Sequence, residues 1–394
     1  MNRYFIKKAI GAGCFIVIIL CGFVMNVKEL SLKVDWSAGA EQIVSDIESG
    51  VNEQFCGRNG FIDLFGALQR MMGKREMNDF EVVQDEQGFL HYTYFGEAAS
   101  DTKELAEALA NYRDGIKDKN VKFMYAMTPD KYIPGYTTFS KGMPYNYANE
   151  TADLFLENLE KYKIDYIDFR DGLEESGIDS ADLFYKTDHH WKVETAFWGF
   201  TRLLDELRER YGLKVSNYKE VTNLDNYNQI TYPNSFIGSM GRKNGVYYSG
   251  VDDFTFIYPK FQTEYAYKAV TKDAKIETYG TFDQALLCMV PFAQDRNKYD
   301  VMSDKYAGYL YGNQGIAHIQ NKKVKGGPKI LLVKDSFMLP LASFLSTVCS
   351  DVYLVDTRYY EKSILDYTNS IKNLDYVIIS YTPQDLTEEF FNLQ

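Results

Sequence analysis

The spacing of apolar residues changes period along the chain, and each period predicts a different kind of element. Apolar residues recur at helical spacing over 105–116, and the β-rich run 121–127 follows. The same order is repeated by a helical pattern over 151–162 and an extended run over 165–169. The strongest amphipathic helix pattern begins at Val193 and continues to Leu207. The chain from residue 100 therefore alternates helices with strands.

The C-terminal third has the clearest α/β pattern. Three short, nearly all-apolar runs, 329–333, 352–356 and 376–380, alternate with helical patterns over 337–348 and 361–372. Apolar runs of this length between helices are typical of parallel strands that are buried on both faces. We therefore predict an α/β fold in which helices cover both faces of a parallel sheet.

Two regions depart from this alternation and suggest the domain organisation. Residues 213–328 are rich in Asn, Tyr, Gly and Asp and lack clear periodicity, which predicts an insertion of loops and short antiparallel strands beside the sheet. Residues 30–100 predict a lead-in helix and a hairpin over Glu81–Phe95 that turns at 86–88. We thus predict an N-terminal segment 1–29, a lead-in 30–100 and a main domain 101–394 that contains the insertion.

The N-terminal segment predicts the cellular compartment. Basic residues at positions 3, 7 and 8 precede the apolar run Ala9–Val27, which is long enough to span a hydrocarbon core about 30 Å thick. The alternative is a cleaved signal peptide, but no small-x-small cleavage site follows the run directly. We predict an uncleaved signal anchor with a cytoplasmic N-terminus, so that the chain beyond it is a single-pass membrane protein with its main domain outside the cytoplasm.

Composition excludes one class of partner and leaves another open. A net charge of −12 and the absence of a basic stripe after residue 30 argue against nucleic acid binding. The 32 tyrosines suit a sugar-binding cleft, although Tyr also packs well in ordinary cores. Cys56, Cys288 and Cys349 have neither zinc-site spacing nor the density of a disulfide scaffold, so their disulfide state stays open.

The sequence KDSF places a candidate nucleophile at a strand-to-helix junction. Ser336 directly follows the apolar strand 329–333 and precedes a helical pattern. This position exposes a side chain at the carboxyl edge of a parallel sheet, where the N-terminus of the next helix can stabilise an oxyanion. The alternatives are that Ser336 only caps the helix, or that it forms a dyad with Lys334, whose extended backbone would direct its side chain away.

The sequence KTDHHW supplies a candidate base. It contains two of the four histidines and directly precedes the strongest helix pattern. His190 can activate a serine, and Asp188, two residues earlier, can hold its imidazole in the correct tautomer. Two alternatives remain: the histidines make structural hydrogen bonds, or Asp188, His190 and Glu194 bind a metal ion.

The two motifs together resemble the bacterial DHHW proteins, relatives of the alginate O-acetylation proteins AlgX and AlgJ. The resemblance runs over most of the chain from about residue 55 and includes five further segments. These segments are GRNGF at 57–61, TPDKYIP at 128–134, FIGSMGR at 236–242, YGN at 311–313 and DTRYY at 356–360. The order of the motifs is reversed relative to ordinary SGNH hydrolases, and Lys334 replaces their Gly before the Asp-Ser pair.

The resemblance implies an SGNH-hydrolase-like domain that works without a cofactor or metal. It assigns Ser336 as nucleophile, His190 as base and Asp188 as the residue that orients it. Asn313 and Gly238 are our candidates for the second oxyanion donor, and His189, Trp191 and Arg358 complete the predicted substrate-binding set. The implied partners are a polysaccharide acceptor, a membrane-bound O-acyltransferase (MBOAT) that supplies acetyl groups, and a polysaccharide synthase complex.

Three functions are consistent with these residues. The first is transfer of acetyl groups to an exopolysaccharide through an acetyl-serine intermediate. The second is a polysaccharide acetylesterase that uses the same triad, with water in place of the sugar hydroxyl. The third is a non-catalytic polysaccharide-binding scaffold, in which Ser336 and the histidines would serve packing or capping. The identity of the polymer and the oligomeric state are not encoded in any motif.

Overall fold

The structure is a computed structural model, and the residues that it describes from position 40 onward define eleven α-helices. It describes residues 12–13, 15–17, 20–22, 24, 26, 34–37, 39–54, 57–271, 275–292, 294–295, 298–299 and 301–393. From residue 40 onward the α-helices within these ranges are α1 Ala40–Gln54, α2 Arg58–Met71, α3 Lys103–Gly115, α4 Ala148–Lys161, α5 Val193–Tyr211, α6 Tyr218–Val221, α7 Ser239–Asn244, α8 Val246–Ser249, α9 Phe282–Leu286, α10 Met338–Leu345 and α11 Ile364–Ser370.

Eight strands form the central sheet. Its order is Asp165–Asp168 (β5), Lys122–Met127 (β4), Tyr376–Ser380 (β15), Lys329–Lys334 (β13), Asp351–Val355 (β14), Ile316–Asn321 (β12), Tyr265–Val270 (β8) and Lys275–Gly280 (β9). The first five strands pair in parallel, whereas β12, β8 and β9 join antiparallel. The predicted parallel sheet is therefore confirmed as the core of a larger mixed sheet.

Alternate side chains of the parallel strands enter two separate hydrophobic clusters. Ile330 and Leu332 pack with α5 and α10 on one face, whereas Leu331 and Val333 pack with α3 and α4 on the other. Both faces of the parallel strands are thus buried under helices, which explains why their sequences are nearly all apolar.

The insertion 213–328 is joined to the sheet more closely than the sequence suggested. Three of its strands, β8, β9 and β12, extend the central sheet instead of lying beside it. Tyr227–Phe236 (β6) and Asp252–Pro259 (β7) form a separate antiparallel pair, and Gln294–Asp295 (β10) pairs with Lys298–Tyr299 (β11).

The lead-in contains the predicted hairpin and one additional strand. Val82–Gln84 (β2) pairs antiparallel with Leu90–Tyr92 (β3), and Glu76–Met77 (β1) pairs with β2. Side chains of this small sheet pack against Met240 and Tyr248 from the insertion. The lead-in is therefore packed onto the main body.

The N-terminal anchor was predicted at Ala9–Val27, and much of this segment lies outside the described residues. Within the part of the chain that the structure does describe, none of the helices combines the length and the apolar character needed to cross a bilayer. The anchor stays a prediction.

The chain connections place a crevice at the carboxyl end of β13. From β13 the chain crosses through α10 to β14 on one side, and then through α11 to β15 on the other side. Ligands of open α/β sheets bind at such reversals of strand order, outside the carboxyl ends of the strands. The loops that follow β4, β13, β14 and β15 all meet at this edge.

Candidate active site

Ser336 follows β13 at this crevice and is the partly exposed residue of an otherwise buried run. Helix α10 has Phe337 as its N-cap residue and no side-chain cap. The hydroxyl of Ser336 instead lies 2.6 Å from His190 Nε2. Ser336 therefore does not cap α10, which was the alternative role that we considered for it.

Asp188, His190 and Ser336 form a continuous hydrogen-bonded chain. His190 Nδ1 lies 2.5 Å from Asp188 Oδ1, and the backbone N–H of His190 donates to the same oxygen at 3.0 Å. Burial acts to raise the pKa of Asp188, but the neighbouring His189 and His190 and their hydrogen bonds hold it well below its usual range. An ionised carboxylate only accepts hydrogen bonds, so Nδ1 carries the proton and Nε2 accepts the hydroxyl of Ser336.

Both sides of the His190 ring are fixed by aromatic contacts. Tyr306 stacks on it with ring centroids 3.8 Å apart and an interplanar angle of 12°, and Phe337 lies at 4.9 Å. The carbonyl of Phe337 accepts hydrogen bonds from Tyr306 Oη at 3.1 Å and from Trp191 Nε1 at 3.0 Å. Trp191, which follows the base His190, is thus bonded to Phe337, which follows the nucleophile Ser336.

The loop that carries Asp188 is held from several directions. Lys131 Nζ donates to the carbonyls of Lys186 at 3.0 Å and Asp188 at 2.7 Å. The Asp252 carboxylate accepts from the backbone N–H of Thr187 at 2.8 Å and from its hydroxyl at 2.6 Å. Burial lowers the pKa of Lys131 to about 8. Neither Lys131 nor Asp252 was predicted as a site residue, although Lys131 lies in the TPDKYIP segment.

A glycine allows the loop 236–242 to contact Asp188 directly. A Cβ on Gly238 would lie only 2.1 Å from Asp188 Cβ. The next residue, Ser239, donates its backbone N–H to Asp188 Oδ2 at 2.6 Å. The N–H of Gly238 donates to Thr187 Oγ1 at 2.8 Å, so our prediction of Gly238 as an oxyanion donor is corrected: its N–H is engaged by the residue that precedes Asp188.

Buried charges surround the base of the nucleophile loop. Asp335 accepts from the N–H of Phe337 at 2.9 Å and of Thr382 at 2.7 Å. Burial raises the pKa of Asp335, and burial together with the charge of Asp335 raises the pKa of Asp385 well above its usual range. Both shifts favour the protonated form, as expected for carboxyl groups that lie near each other and are shielded from water.

Two predicted binding residues make hydrogen bonds to protein partners. Trp191 is fully buried, and its indole N–H donates a hydrogen bond to the backbone carbonyl of Phe337. Arg358 forms a bidentate pair with Asp356, with Nε at 2.9 Å and a terminal nitrogen at 2.7 Å. The indole N–H of Trp191 is committed to a protein partner, so the prediction that Trp191 binds substrate is corrected. Arg358 uses two of its five N–H donors on Asp356, so substrate binding by Arg358 stays a prediction.

The remaining predicted residues are His189, beside the base, and Asn313. The ring of His189 lies 3.9 Å from that of His190 at an interplanar angle of 35°, its Nδ1 bonds Ser239 Oγ at 2.9 Å, and burial lowers its pKa to about 3. Asn313 accepts a hydrogen bond from Lys334 Nζ at 2.8 Å. Lys334 also lies 3.5 Å from the Asp356 carboxylate, so its amine is engaged away from the serine-lysine dyad that we considered.

Asp188, His189 and His190 also form a compact set of metal-ligating groups, with one potential ligand atom of each lying within 4.8 Å of the others. Glu194, which we considered as a third ligand beside Asp188 and His190, is outside this set. Nδ1 and Nε2 of His190 and both oxygens of Asp188 are used in the hydrogen bonds described above. The arrangement is thus satisfied by protein partners and suits proton transfer better than metal ligation.

Comparisons with known proteins agree with the fold. Residues 84–229 match the family described as SGNH hydrolase-like domain, acetyltransferase AlgX. PatB1 from Bacillus cereus is 19% identical, with 79% of this chain and 99% of that chain covered at a TM-score of 0.63. A DHHW family protein from Eubacterium siraeum is 18% identical, with 79% and 94% covered at a TM-score of 0.55. The search of curated protein sequences found no match. The resemblance predicted from KTDHHW and KDSF is confirmed.

Proposed function

We propose that this protein O-acetylates a polysaccharide outside the cytoplasm, because residues 84–229 match the SGNH hydrolase-like domain of the acetyltransferase AlgX. The observation that carries the proposal is the hydrogen-bonded chain from Asp188 through His190 to a partly exposed Ser336. This arrangement activates a hydroxyl for attack on an acyl carbon at neutral pH.

In the proposed first step, Ser336 Oγ attacks the carbonyl carbon of the acetyl donor while its proton passes to His190 Nε2. Asp188 stabilises the imidazolium that forms. The tetrahedral intermediate then expels the leaving group of the donor, which takes the proton back from His190, and acetyl-Ser336 remains. In the second step a sugar hydroxyl gives its proton to His190 and attacks the acetyl carbon, so that the acetylated sugar leaves and Ser336 regains its proton.

The oxyanion of each intermediate needs hydrogen-bond donors. The backbone N–H of Ser336 has no hydrogen-bond partner among the described residues, and it lies just before the N-terminus of α10. Asn313 is the proposed second donor, because Lys334 already binds its carboxamide oxygen and leaves the amide N–H groups available. Two such donors would stabilise the charge that develops on the acyl oxygen.

Exposed aromatic residues beside the triad support a sugar acceptor. Tyr94 and Phe95 follow β3, are at least half exposed, and both have positive φ values of 50° and 51°. Two consecutive bulky residues in this unfavourable backbone region are typical of a functional segment. Tyr94 packs on Tyr92 at 5.6 Å, and Tyr92 lies 6.3 Å from His189, so aromatic rings lead from the surface to the base.

A test of the chemistry uses the full-length protein in detergent with an activated acetyl ester. We expect an acetyl group on Ser336 by peptide mass spectrometry and none in Ser336→Ala. His190→Ala should lower the acylation rate by about 10⁴- to 10⁶-fold and Asp188→Asn by about 10⁴-fold, because triad members act as a unit. His189→Ala is the matched control and should have a much smaller effect. An active Ser336→Ala variant would refute the catalytic assignment.

The second candidate function, polysaccharide acetylesterase activity, uses the same three residues. The two differ in what attacks acetyl-Ser336. Adding oligosaccharide acceptors should divert acetyl from water to sugar, because a bound hydroxyl gains effective molarity that water lacks. Hydrolysis that no acceptor changes would favour the esterase.

The proposed acetyl donor is an MBOAT partner in the membrane, working with a polysaccharide synthase complex, and the apolar run Ala9–Val27 is the proposed anchor. Protease added to intact cells should therefore digest the main domain, while a cytoplasmic marker stays intact. The control is a known protein on the outer side of the cytoplasmic membrane, which the protease must digest. Full protection of the main domain while this control is digested would exclude the proposed location.

A further inference from the structure

Helix α2 is oriented with its polar side inward. Its sequence, RNGFIDLFGALQRM, has apolar residues at helical spacing that would ordinarily face a core. Instead Leu64, Phe65, Leu68 and Met71 keep 50% to 83% of their surface exposed. Met72, just after the helix, is also exposed. We call these five residues the outer face of α2.

The opposite side of α2 is fastened to the protein by close and specific contacts. Asp63 accepts a hydrogen bond from the N–H of Val246 at 2.7 Å. A Cβ on Gly66 would lie 2.1 Å from the carbonyl oxygen of Asn244, so the helix backbone itself contacts α7. Arg70 donates to the carbonyl of Tyr247 at 3.2 Å. These contacts fix the rotation of the helix and keep its outer face directed away from the body.

An exposed apolar stripe of this size marks an interaction surface in a soluble domain. The charges around it fit an anionic lipid surface. Asp63 is the single acidic residue of the helix and bonds Val246 on the inner side, whereas Arg58 begins the helix and Lys74 and Arg75 follow it. Lys74 lies 3.5 Å from Glu76, and Arg75 donates to the carbonyl of Asp85 at 2.7 Å, so the flank keeps a net positive charge that is partly balanced. The protein as a whole has a net charge of −12, so this basic flank contrasts with the rest of the molecule. Amphipathic helices with basic flanks lie in membrane interfaces.

The position of α2 in the chain supports the same partner. The apolar run Ala9–Val27 ends about 30 residues before Arg58, and α1 is the single described helix between residue 40 and α2, so α2 is among the first elements after the proposed anchor. On its inner side α2 contacts α7, and Ser239 at the start of α7 bonds Asp188 and His189. One short helix therefore separates the outer face from the triad.

We propose that the outer face of α2 docks on the membrane surface and holds the active site at a fixed distance from the bilayer. The proposal rests on the proposed function, in which acetyl is received from a membrane partner. A tether alone would leave the domain free to rotate, whereas a second contact through a rigidly held helix restricts its orientation. Docking would thereby favour the hand-over of acetyl to Ser336.

The docking can be measured without reference to catalysis. The full-length protein is reconstituted into vesicles of phosphatidylethanolamine and phosphatidylglycerol with brominated acyl chains, which quench tryptophan on contact. Leu64→Trp is compared with Tyr279→Trp, a matched exposed position on the outer strand β9. After the signal of the three native tryptophans is subtracted, we expect strong quenching at position 64 and little at position 279. Equal quenching at both positions would overturn the proposal.

A second measurement separates docking from the proposed chemistry. The double variant Leu64→Glu with Leu68→Glu changes exposed residues outside the site, so it should acetylate Ser336 from a soluble ester at the wild-type rate. Polysaccharide acetylation in cells should fall several-fold. Unchanged acetylation in cells would contradict the role of docking, whereas a wild-type protein inactive toward the ester would refute the proposed function alone.

Loss of a dimer in the double variant, with no lipid quenching in Leu64→Trp, would identify a second copy as the partner and overturn the lipid assignment.

Discussion

At the scale of single residues, the site contains ionisable groups whose burial opposes their charge. Asp130 follows β4 and is nearly inaccessible to solvent, and burial raises its pKa to about 6. One of its oxygens has no hydrogen-bond partner within the described part of the chain. Ionised Asp130 therefore destabilises the fold at neutral pH, which is a cost that functional sites commonly carry.

The burial of ionised Asp130 predicts how stability depends on pH. A rise in pKa from 3.8 to about 6 means that folded Asp130 binds its proton more tightly than unfolded Asp130. The contribution of Asp130 to stability is therefore most favourable below pH 3.8, falls as the pH rises from 3.8 to about 6, and stays constant above that. Asp130→Asn should raise the free energy of unfolding at pH 7 by up to about 3 kcal/mol. The difference from wild type should vanish below about pH 4. Denaturant unfolding at both pH values measures it, and an equal difference at both would contradict the assignment.

At the scale of elements, the active site depends on how loops far apart in sequence fasten the segment 186–190. The hairpin β2–β3 takes part, because the N–H of Leu90 donates to the carbonyl of Lys186 at 2.9 Å. The loop 236–242 closes the other side through Gly238 and Ser239. Asp188 is therefore positioned by elements from the lead-in, the parallel sheet and the insertion.

Gly238 provides a test of this positioning. An added methyl group in Gly238→Ala would displace Asp188, because the two Cβ atoms would lie 2.1 Å apart. A displacement of about 1 Å in a catalytic group can lower the rate about 10²-fold, so we expect a loss of that order in acetylation of Ser336. Gly60→Ala is the control, since a Cβ there has no neighbouring atom within 4 Å. Both variants should keep wild-type circular dichroism, and a fully active Gly238→Ala would show that the contact is dispensable.

At the scale of the whole molecule, one hydrophobic cluster joins the parallel sheet to the insertion. Phe344 of α10 lies at its centre and contacts Phe197 at 5.2 Å, Phe282 at 6.2 Å and Tyr309 at 6.0 Å between ring centroids. These partners belong to α5 and to two parts of the insertion. The insertion is thus part of the main core, and Tyr306, which stacks on the catalytic base, comes from it.

Removing this ring should weaken the whole structure at once. Phe344→Ala should lower the free energy of unfolding by about 3–5 kcal/mol, because it deletes a fully buried side chain and leaves a cavity. Leu154→Ala, at an exposed position of α4, should change it by less than about 0.5 kcal/mol. Unfolding followed by both far-UV circular dichroism and tryptophan fluorescence should give coincident transitions. Separate transitions would mean that the insertion folds independently of the sheet.

Local sequence patterns were sufficient for the parallel strands, for the helices that cover them and for the two motifs that meet. The strand 376–380 has the bounds that its apolar run predicts, and the helix that begins at Val193 was recognised from its period. The pairing of His190 with Ser336 was also expected, although 146 residues separate them, because both motifs fall at positions where a parallel sheet presents its loops. The elements depend on neighbours within a few residues, which periodicity records, whereas the pairing of the two motifs followed from the shared position of these loops at one edge of a parallel sheet.

Only the tertiary structure decided the contacts between distant segments, because these segments have no hydrophobic periodicity that predicts their partners. Lys131 and Asp252 bond backbone groups of the segment that carries Asp188. Every residue has such backbone groups, so the sequence of this segment does not indicate which distant side chains bond to it. Trp191, expected at the substrate, is buried because its indole bonds a backbone carbonyl. The orientation of α2 was equally hidden: an amphipathic pattern locates an apolar face, but packing of Asp63 and Gly66 against α7 and α8 directs that face outward.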